Sequence, residues 1–160
     1  MSIVSLSSEK GLCGTVQVPG DKSISHRSLM LGALAVGRTE IDGLLEGEDV
    51  LSTARAVEAM GATVERTSGG AWHVHGMGVG GLGEPESVLD FGNSGTGARL
   101  LMGIAATLPF SSVFTGDVSL RARPMGRIIE PLSEMGAQFN ARGGDKLPLT
   151  VIGTDEPIPI

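Results

Sequence analysis

The chain has 160 residues, of which 41% are hydrophobic and 19% charged, a composition typical of a globular protein and not of a disordered segment. Its net charge of −6 argues against nucleic acid as a general partner, and no stretch is long and apolar enough for a membrane span. The single cysteine, Cys13, excludes an intrachain disulfide and favours a reducing compartment, so we expect a cytoplasmic protein. Cys13 itself is predicted to be a small buried residue where a strand begins.

The first half of the sequence predicts a β-α-β-α-β-β unit. The predicted elements are a strand at 15–18, a helix at 22–35, a strand within 38–45, a helix at 48–60 and strands at 62–66 and 71–75. Pro19-Gly20 stops the first strand, Gly37 is a candidate left-handed helix cap, and Gly61 ends the second helix. The second helix carries an apolar face made of Val50, Ala54, Val57 and Met60. T-S-G-G joins the last two strands as a hairpin.

The second half predicts the same unit again. Its predicted elements are a helix at 92–107, a strand at 112–115, a helix at 124–135 and hairpin strands at 137–141 and 147–152, joined across R-G-G-D. Pro124 would stand near the first position of its helix, where proline is tolerated. G-N-S-G-T-G-A-R-L-L-M from Gly92 aligns with G-D-K-S-I-S-H-R-S-L-M from Gly20, so that Arg99 falls on Arg27. A-M-G-A at 59–62 likewise matches E-M-G-A at 134–137, and the chain therefore contains an internal repeat.

The stretch P-G-D-K-S-I-S-H-R, from Pro19, predicts an anion-binding site. A Pro-Gly turn leads into a helix whose N-cap is Asp21, Ser23 or Ser25. Lys22 then lies at the mouth of the helix and Arg27 one turn further in, so that two cations and free backbone N–H groups converge. Because cations are unfavourable in a first helical turn, solvated surface residues are the alternative. The second copy of the pattern at Gly92 favours a binding site for a small polyanion.

Three weaker patterns indicate no site of their own. G-V-G-G-L-G at 78–83 spells a dinucleotide fingerprint, but E-P-E-S follows where a helix is required, so we expect a loop between the units. His73 and His75 share one face of a strand without a third metal ligand in view, which favours paired surface histidines. G-D-K-S lacks the glycine spacing of a phosphate-binding P-loop.

Four motifs carry a family resemblance: P-G-D-K-S-I-S-H-R, L-L-E-G-E-D-V, D-F-G-N-S-G-T-G-A-R-L and R-P-M-G-R. In this order and spacing they resemble the N-terminal part of the 5-enolpyruvylshikimate-3-phosphate synthase family, from about residue 12 to the end. The resemblance implies an α/β fold, the inside-out α/β barrel of the enolpyruvyl transferases, with three β-α-β-α-β-β units in each of two lobes. We expect residues 1–18 to run toward the other lobe, and residues 19–90 and 91–160 to be two of the three units of one lobe.

The resemblance also implies an activity. The family transfers the enolpyruvyl group of phosphoenolpyruvate to the 5-hydroxyl of shikimate 3-phosphate in the shikimate pathway, through a tetrahedral intermediate and without a metal or organic cofactor. Glyphosate is its inhibitor. Both substrates are anions, which accounts for the convergence of cations and helix N-termini.

Residue by residue, the resemblance gives roles to nine positions. It implies that Lys22 is a catalytic cation shared by both substrates, and that Ser23 and Arg27 bind shikimate 3-phosphate. Phosphoenolpyruvate would contact Asn93, Gly95, Thr96 and Arg123, while Asp49 and Arg99 would support the site.

The family's proton-transferring Asp and Glu have no counterpart among these residues. We therefore expect the chain to supply part of a substrate site, to be inactive alone, and to need the complementary C-terminal part of the enzyme as its partner. Two alternatives stay open. A UDP-N-acetylglucosamine enolpyruvyl transferase would have a K-N-A motif and a loop cysteine that are absent here. The other is a non-catalytic anion-binding or scaffold module of the same fold.

Overall fold

The computed structural model describes Val4, Gly11 and residues 13–160, which form five helices and seven strands. The helices are α1 (Lys22–Leu34), α2 (Glu48–Ala59), α3 (Gly95–Ala105), α4 (Val118–Ala122) and α5 (Gly126–Glu134). The strands are β1 (Val36–Ile41), β2 (Thr63–Arg66), β3 (Trp72–Met77), β4 (Leu89–Asp90), β5 (Ser111–Thr115), β6 (Gln138–Arg142) and β7 (Lys146–Ile152).

The strands form one sheet in each half of the chain. The first sheet has the order β1-β3-β2, with both pairs antiparallel. The second has the order β4-β5-β7-β6, in which β4 runs parallel to β5 and the other pairs are antiparallel. Buried side chains from both halves join in one hydrophobic cluster, and the rings of Phe91 and Phe114 stack within it at 5.7 Å. The two halves therefore share a core that holds α1, α2 and α3 together.

Most of the predicted elements are confirmed, since α2, the two hairpins and β5 lie where the sequence places them. The predicted apolar face of α2 is confirmed as well, because all four of its residues are buried. Burial of every third or fourth residue on one side is the reason why this segment forms a helix.

The strand predicted at 15–18 is wrong. No residue of this segment pairs with a strand of the described part, and Val16 and Val18 are 85% and 76% exposed. Alternating valines favour a strand only where one face is buried, and here no described element covers them. Cys13 is exposed too, so its predicted burial is also wrong.

Two predicted helix ends differ from the structure. The first helix ends with an extended residue at Ala35, and Gly37 lies inside β1 with a φ of +89°, so Gly37 is not the helix cap. In the second half, Pro124 lies two residues before α5, whose N-cap is Met125, and the short helix α4 was not predicted at all. A tertiary contact decides the end of α1, because β1 has to begin at once to pair with β3.

The internal repeat is visible in the hydrogen bonds that end α2 and α5. After α2, Gly61 (φ +102°) and Ala62 donate their N–H groups to the carbonyls three and five residues earlier, at 2.9 and 3.1 Å. After α5, Gly136 (φ +109°) and Ala137 do the same, at 3.0 and 3.1 Å. This is the Schellman cap, in which the glycine takes the left-handed conformation that other residues avoid. The unit boundaries at 18/19 and 90/91 stay predictions.

Candidate anion-binding site

The first part of the site is the N-terminal turn of α1. Of the three candidate caps, Asp21 is the one observed: its Oδ1 accepts the N–H of Ile24 at 2.7 Å. The cap leaves the side chains of Lys22, Ser23 and Arg27 on the exposed side of the turn. Free N–H groups and cations therefore meet at one solvent-facing edge, as the sequence predicts.

Both cations of this turn are held in place. The Lys22 ammonium group pairs with Asp49 Oδ2 at the start of α2, with about half of the lysine side chain still exposed. Arg27 Nη1 donates to the backbone oxygen of Ser23 at 3.0 Å. Asp49 thus orients Lys22 without removing it from solvent, and its supporting role stays a prediction.

Two buried residues of the same motif anchor the turn from below, and sequence reasoning gave neither of them this role. Ser25 Oγ accepts the N–H of Leu45 at 3.0 Å, which joins α1 to the loop before α2. His26 is fully buried, and its Nδ1 lies 2.8 Å from Thr53 Oγ1 on α2. Burial lowers the pKa of His26, and the nearby Lys22 lowers it further, so the imidazole is neutral at pH 7.

The second part of the site is the N-terminal turn of α3, where two guanidinium groups converge. A Cβ atom added to Gly95 would lie 2.9 Å from Arg99 Nη1 and 3.1 Å from Arg123 Nη1. Thr96 is exposed beside them. The first turn of α3 thus brings backbone N–H groups and arginine side chains to the same place, which is a suitable arrangement for an anion.

Asn93 connects this turn to α4. Its Oδ1 accepts from Arg123 Nη2 at 2.5 Å, and its Nδ2 donates to Asp117 Oδ2 at 2.8 Å. Asp117 is also the N-cap of α4, where Oδ1 accepts the N–H of Leu120 at 2.7 Å. The bond from Leu120 lowers the pKa of Asp117, and the bond from Asn93 lowers it further. Sequence reasoning missed Asp117, although an aspartate at the start of D-V-S-L is an ordinary N-cap signal.

The arginines around α3 form no salt bridge within the described part of the chain, although Asp117 acts on Arg123 from a longer distance. Within residues 13–160, no carboxylate oxygen lies within 4.0 Å of the guanidinium nitrogens of Arg99, Arg123 or Arg127. Burial lowers the pKa of Arg99, and Arg123 and Arg127 lower it further by repulsion. An anion bound at this point would relieve the repulsion between the three arginines.

The two parts of the site adjoin. A cleft of about 220 Å³ is lined on one side by Asp49, the partner of Lys22, and on the other by Asn93, the partner of Arg123. The remaining lining residues are Glu48, Ser52, Arg55, Asp90 and Gly92. The predicted residues of both motifs are thus brought to neighbouring edges of α1, α2 and α3.

The weaker sequence patterns lie elsewhere. The glycine-rich segment at 78–83 is a loop with no helix directly after it, as expected. On β3, His73 stands opposite Glu40 of β1, with Nε2 at 3.8 Å from the carboxylate oxygen. The described residues hold no group of three potential metal ligands.

Comparison with known proteins assigns the family. The family model of EPSP synthase (3-phosphoshikimate 1-carboxyvinyltransferase) matches residues 6–157. The chain belongs to the EPSP synthase family. This membership confirms the resemblance carried by the four motifs. It argues against the alternative that the chain is a UDP-N-acetylglucosamine enolpyruvyl transferase.

Individual relatives agree with the family assignment. The 3-phosphoshikimate 1-carboxyvinyltransferases of Novosphingobium aromaticivorans and Paramagnetospirillum magneticum are each 64% identical over 149 residues, which is 93% of this chain and 34% or 33% of theirs. A solved EPSP synthase structure from Acinetobacter baumannii superposes with a TM-score of 0.87 at 47% identity, over 92% of this chain and 33% of that one. The likeness confirms the predicted α/β fold class. The chain spans about a third of the length of these relatives.

In the part that the structure describes, no helix combines the length and apolarity needed to cross a membrane.

Proposed function

We propose that these residues form the part of an EPSP synthase active site that holds the anionic groups of shikimate 3-phosphate and phosphoenolpyruvate. The observation that carries the proposal is the pair of adjoining cationic helix turns, of which the turn at Gly95 has Arg99 and Arg123 beside it with no carboxylate oxygen within 4.0 Å of their guanidinium nitrogens in the described chain. A pair of anionic substrates repel each other in water, and a site with two such turns offsets that repulsion. Glyphosate, as an anionic inhibitor, would enter the same place.

Shikimate 3-phosphate is assigned to the α1 turn. Ser23 offers a hydroxyl and Arg27 a guanidinium group on the exposed edge, while the Asp21 cap leaves further N–H groups of the turn unpaired. Lys22 pairs with Asp49, which lines the cleft that also contains Asn93. We therefore assign Lys22 to both substrates, as the cation that faces the reacting groups.

Phosphoenolpyruvate is assigned to the α3 turn. Arg123 is the phosphate ligand, held by Asn93, and the N-terminal turn at Gly95 and Thr96 lies against the substrate. Arg99 supports the turn, because its Nη1 and Nη2 donate to the backbone oxygens of Gly95 at 3.4 Å and Pro124 at 3.1 Å.

The proposed reaction has an addition and an elimination. In the addition, the 5-hydroxyl group of shikimate 3-phosphate loses its proton as its oxygen bonds to C2 of phosphoenolpyruvate, and the electron pair of the C2–C3 double bond takes up a proton at C3. In the elimination, C3 loses a proton, the bond between C2 and the phosphate oxygen breaks, and phosphate leaves with the electron pair. Lys22 and Arg123 stabilise the charge that develops on the departing phosphate. We assign the proton transfers to residues outside these 160, because the family's proton-transferring Asp and Glu have no counterpart in the matched motifs.

Several finer expectations stay proposals with this function. They are the complementary C-terminal part of the enzyme as partner, activity without a metal or organic cofactor, and a cytoplasmic location. The first has the best support, because the matched relatives are about three times as long as the chain.

The test is a comparison of two cation variants in the full-length protein that contains this chain. Phosphate release from phosphoenolpyruvate in the presence of shikimate 3-phosphate is measured first for the unaltered protein. We expect Lys22→Ala to raise the KM of both substrates, and Arg27→Ala to raise mainly that of shikimate 3-phosphate. Each lost charge-assisted contact should cost about 1.5–3 kcal/mol.

Arg38→Ala is the matched control. Arg38 is an exposed cation on β1, beyond the C-terminal end of α1 and so at the opposite end of that helix from Lys22. Its removal should leave both KM values within about twofold. If the two test variants shift the two KM values equally, the assignment of separate ligands is wrong. If the unaltered protein binds neither substrate, the chain is the anion-binding scaffold of the alternative reading.

A further inference from the structure

A buried polar cluster joins the three helices beneath the site. It consists of His26 on α1, Thr53 on α2 and Ser94, the N-cap of α3, and all three are fully buried. His26 Nδ1 lies 2.8 Å from Thr53 Oγ1. Neither the motif resemblance nor the family assignment gives these residues a role.

The cluster reaches α3 through a contact with the backbone of its first turn. A Cβ atom at Gly97 would lie 2.6 Å from Thr53 Oγ1 and 2.7 Å from Ser94 Oγ. These distances leave no space for any side chain at Gly97. One hydroxyl group of α2 therefore contacts both the imidazole under the α1 turn and the backbone of the α3 turn.

The chemistry of the cluster is poorly suited to packing alone. Within the described chain, His26 Nε2 and Ser94 Oγ are buried without a hydrogen-bond partner. Apolar side chains of the same size would join three helices without that desolvation cost. A hydrogen bond between fixed partners has a defined length and direction, which an apolar contact lacks.

We propose that His26 and Thr53 are positioning residues, which set the distance between the α1 turn that carries Lys22 and Arg27 and the α3 turn that starts at Gly95. This inference rests on the proposed function, since the two turns are there assigned to the two substrates. His26 fixes the α1 turn against Thr53, and Thr53 in turn fixes α2 against α3. A change at Thr53 then affects both turns, whereas a change at His26 affects mainly the α1 turn.

The charge state of the imidazole is part of this role. The charged groups that act on His26 are Lys22 and Arg27 from α1 and Asp49 from α2. A charged imidazole would add a third cation beneath the two that face the ligand, and it would lie in a buried place. When the His26 imidazole is neutral, Lys22 and Arg27 are the cations of this turn, and both lie on its exposed edge.

The experiment compares variants of the full-length protein that contains this chain. Thr53→Val removes the hydroxyl at nearly constant volume, and Thr53→Ser restores it. His26→Leu removes the ring nitrogens, and His26→Asn retains a polar atom near the position of Nδ1. Ser112→Ala is the matched control, because Ser112 is a buried hydroxyl without a hydrogen-bond partner on β5, away from the cluster.

We expect Thr53→Val to weaken the binding of shikimate 3-phosphate and of phosphoenolpyruvate by about three- to tenfold each, measured separately by calorimetry and as KM. His26→Leu should weaken shikimate 3-phosphate by a similar factor and phosphoenolpyruvate by less than about twofold. Thr53→Ser and His26→Asn should recover most of each loss, and Ser112→Ala should show none. The ¹⁵N chemical shifts of the His26 ring should change in Thr53→Val, which reports the lost bond without reference to activity.

Two results would overturn the proposal. One is a fall in thermal stability of Thr53→Val with both affinities unchanged, which would make the cluster a packing feature only. The other is an equal loss in Ser112→Ala. If Thr53→Val does not fold, His26→Leu decides the question, because the proposal requires it to weaken shikimate 3-phosphate clearly more than phosphoenolpyruvate, and an equal effect on both, or none, overturns the proposal. Failure of the proposed function is recognised separately, because the unaltered protein would then show no enolpyruvyl transfer although the His26 ring shifts still respond to Thr53→Val.

Discussion

The side chains of the motif at 22–27 divide into two groups. Lys22, Ser23 and Arg27 are exposed and available to a ligand, whereas Ser25 and His26 are buried and bonded to other parts of the chain. Ser23 and Arg27 are four residues apart and share the exposed face of α1, whereas Lys22 is exposed as the first residue of the helix. One short motif thus contains both the side chains assigned to ligand binding and the side chains that anchor the turn.

Gly95 is the residue where the structure gives the sharpest prediction for inhibition. An alanine Cβ would lie 2.9 and 3.1 Å from the guanidinium nitrogens of Arg99 and Arg123, so both side chains would have to move. We expect Gly95→Ala to raise the Ki of glyphosate more than the KM of phosphoenolpyruvate, because the longer ligand clashes first with an added methyl group. Steady-state inhibition of the full-length protein measures both quantities. An unchanged Ki would show that the inhibitor does not lie against this glycine.

His26 predicts a pH dependence of folding stability. Its pKa is lowered from the ordinary value of 6.5, chiefly by burial. Below that value the unfolded chain binds a proton that the native imidazole does not, so stability is full above pH 6.5 and falls as the pH drops toward the native pKa.

Urea unfolding between about pH 7.5 and 5.5 should therefore show a falling midpoint, and His26→Asn should remove part of that slope. His73 and His75 are present in both proteins and cancel in the comparison. Identical slopes for the two proteins would contradict the assignment of a buried neutral imidazole.

At the scale of elements, the contact between α2 and α3 is close enough to test by overpacking. Gly97→Ala would place a Cβ atom against Thr53 Oγ1 and Ser94 Oγ, at 2.6 and 2.7 Å, and should destabilise the protein by about 1–3 kcal/mol. Adding Thr53→Ala and Ser94→Ala removes both oxygens, so the triple variant should recover much of the loss measured by urea unfolding. A triple variant no more stable than Gly97→Ala would show that the helices do not meet as described.

The elements that could be predicted from sequence are those whose pattern is local. The apolar face of α2 and the glycine after it are such patterns, and both Schellman caps were visible as A-M-G-A and E-M-G-A. The strand at 15–18 failed because a strand needs a partner, and alternation cannot show whether one is present. The helix α4 has only five residues, too few for a periodic signal.

The same distinction applies to the site. Lys22 and Arg27 could be proposed from the sequence, because charged residues in a motif are visible without knowing their neighbours, and the resemblance added Arg123. Thr53 and Ser94 could not, since their role comes from the meeting of three helices that are far apart in sequence.

At the scale of the whole molecule, these residues hold anion-binding groups without a full enclosure. We expect a polypeptide of these 160 residues to release no phosphate from the two substrates, and to gain activity when it is mixed with the remaining part of its full-length protein. The proposed function places the opposite wall of the cleft and the proton-transferring groups in that remaining part, so we expect the 160 residues alone neither to exclude water nor to transfer the protons. The phosphate-release assay with each part alone and with the mixture measures this. Equal turnover by the 160 residues alone would show that the proton transfers lie within them.

One surface supports that expectation. The apolar residues of α5, Ile128, Ile129 and Leu132, pack against the hydrophobic core but are only partly buried, and no side chain of this helix is fully buried. An amphipathic helix of this kind is more stable when its apolar side is fully covered. We expect the complementary part of the protein to cover the exposed remainder of this side.

The order of the first sheet has a consequence for how such a polypeptide behaves at high concentration. β1 pairs with β3 on one side and with no strand of the described chain on the other, while Val36 at its start is 92% exposed. In the second sheet the corresponding strand, β5, lies between two partners. A strand with one open side offers its backbone groups to any extended chain in solution. Solubility during purification, and resistance to strand-by-strand assembly, will therefore depend on whether that open edge is covered.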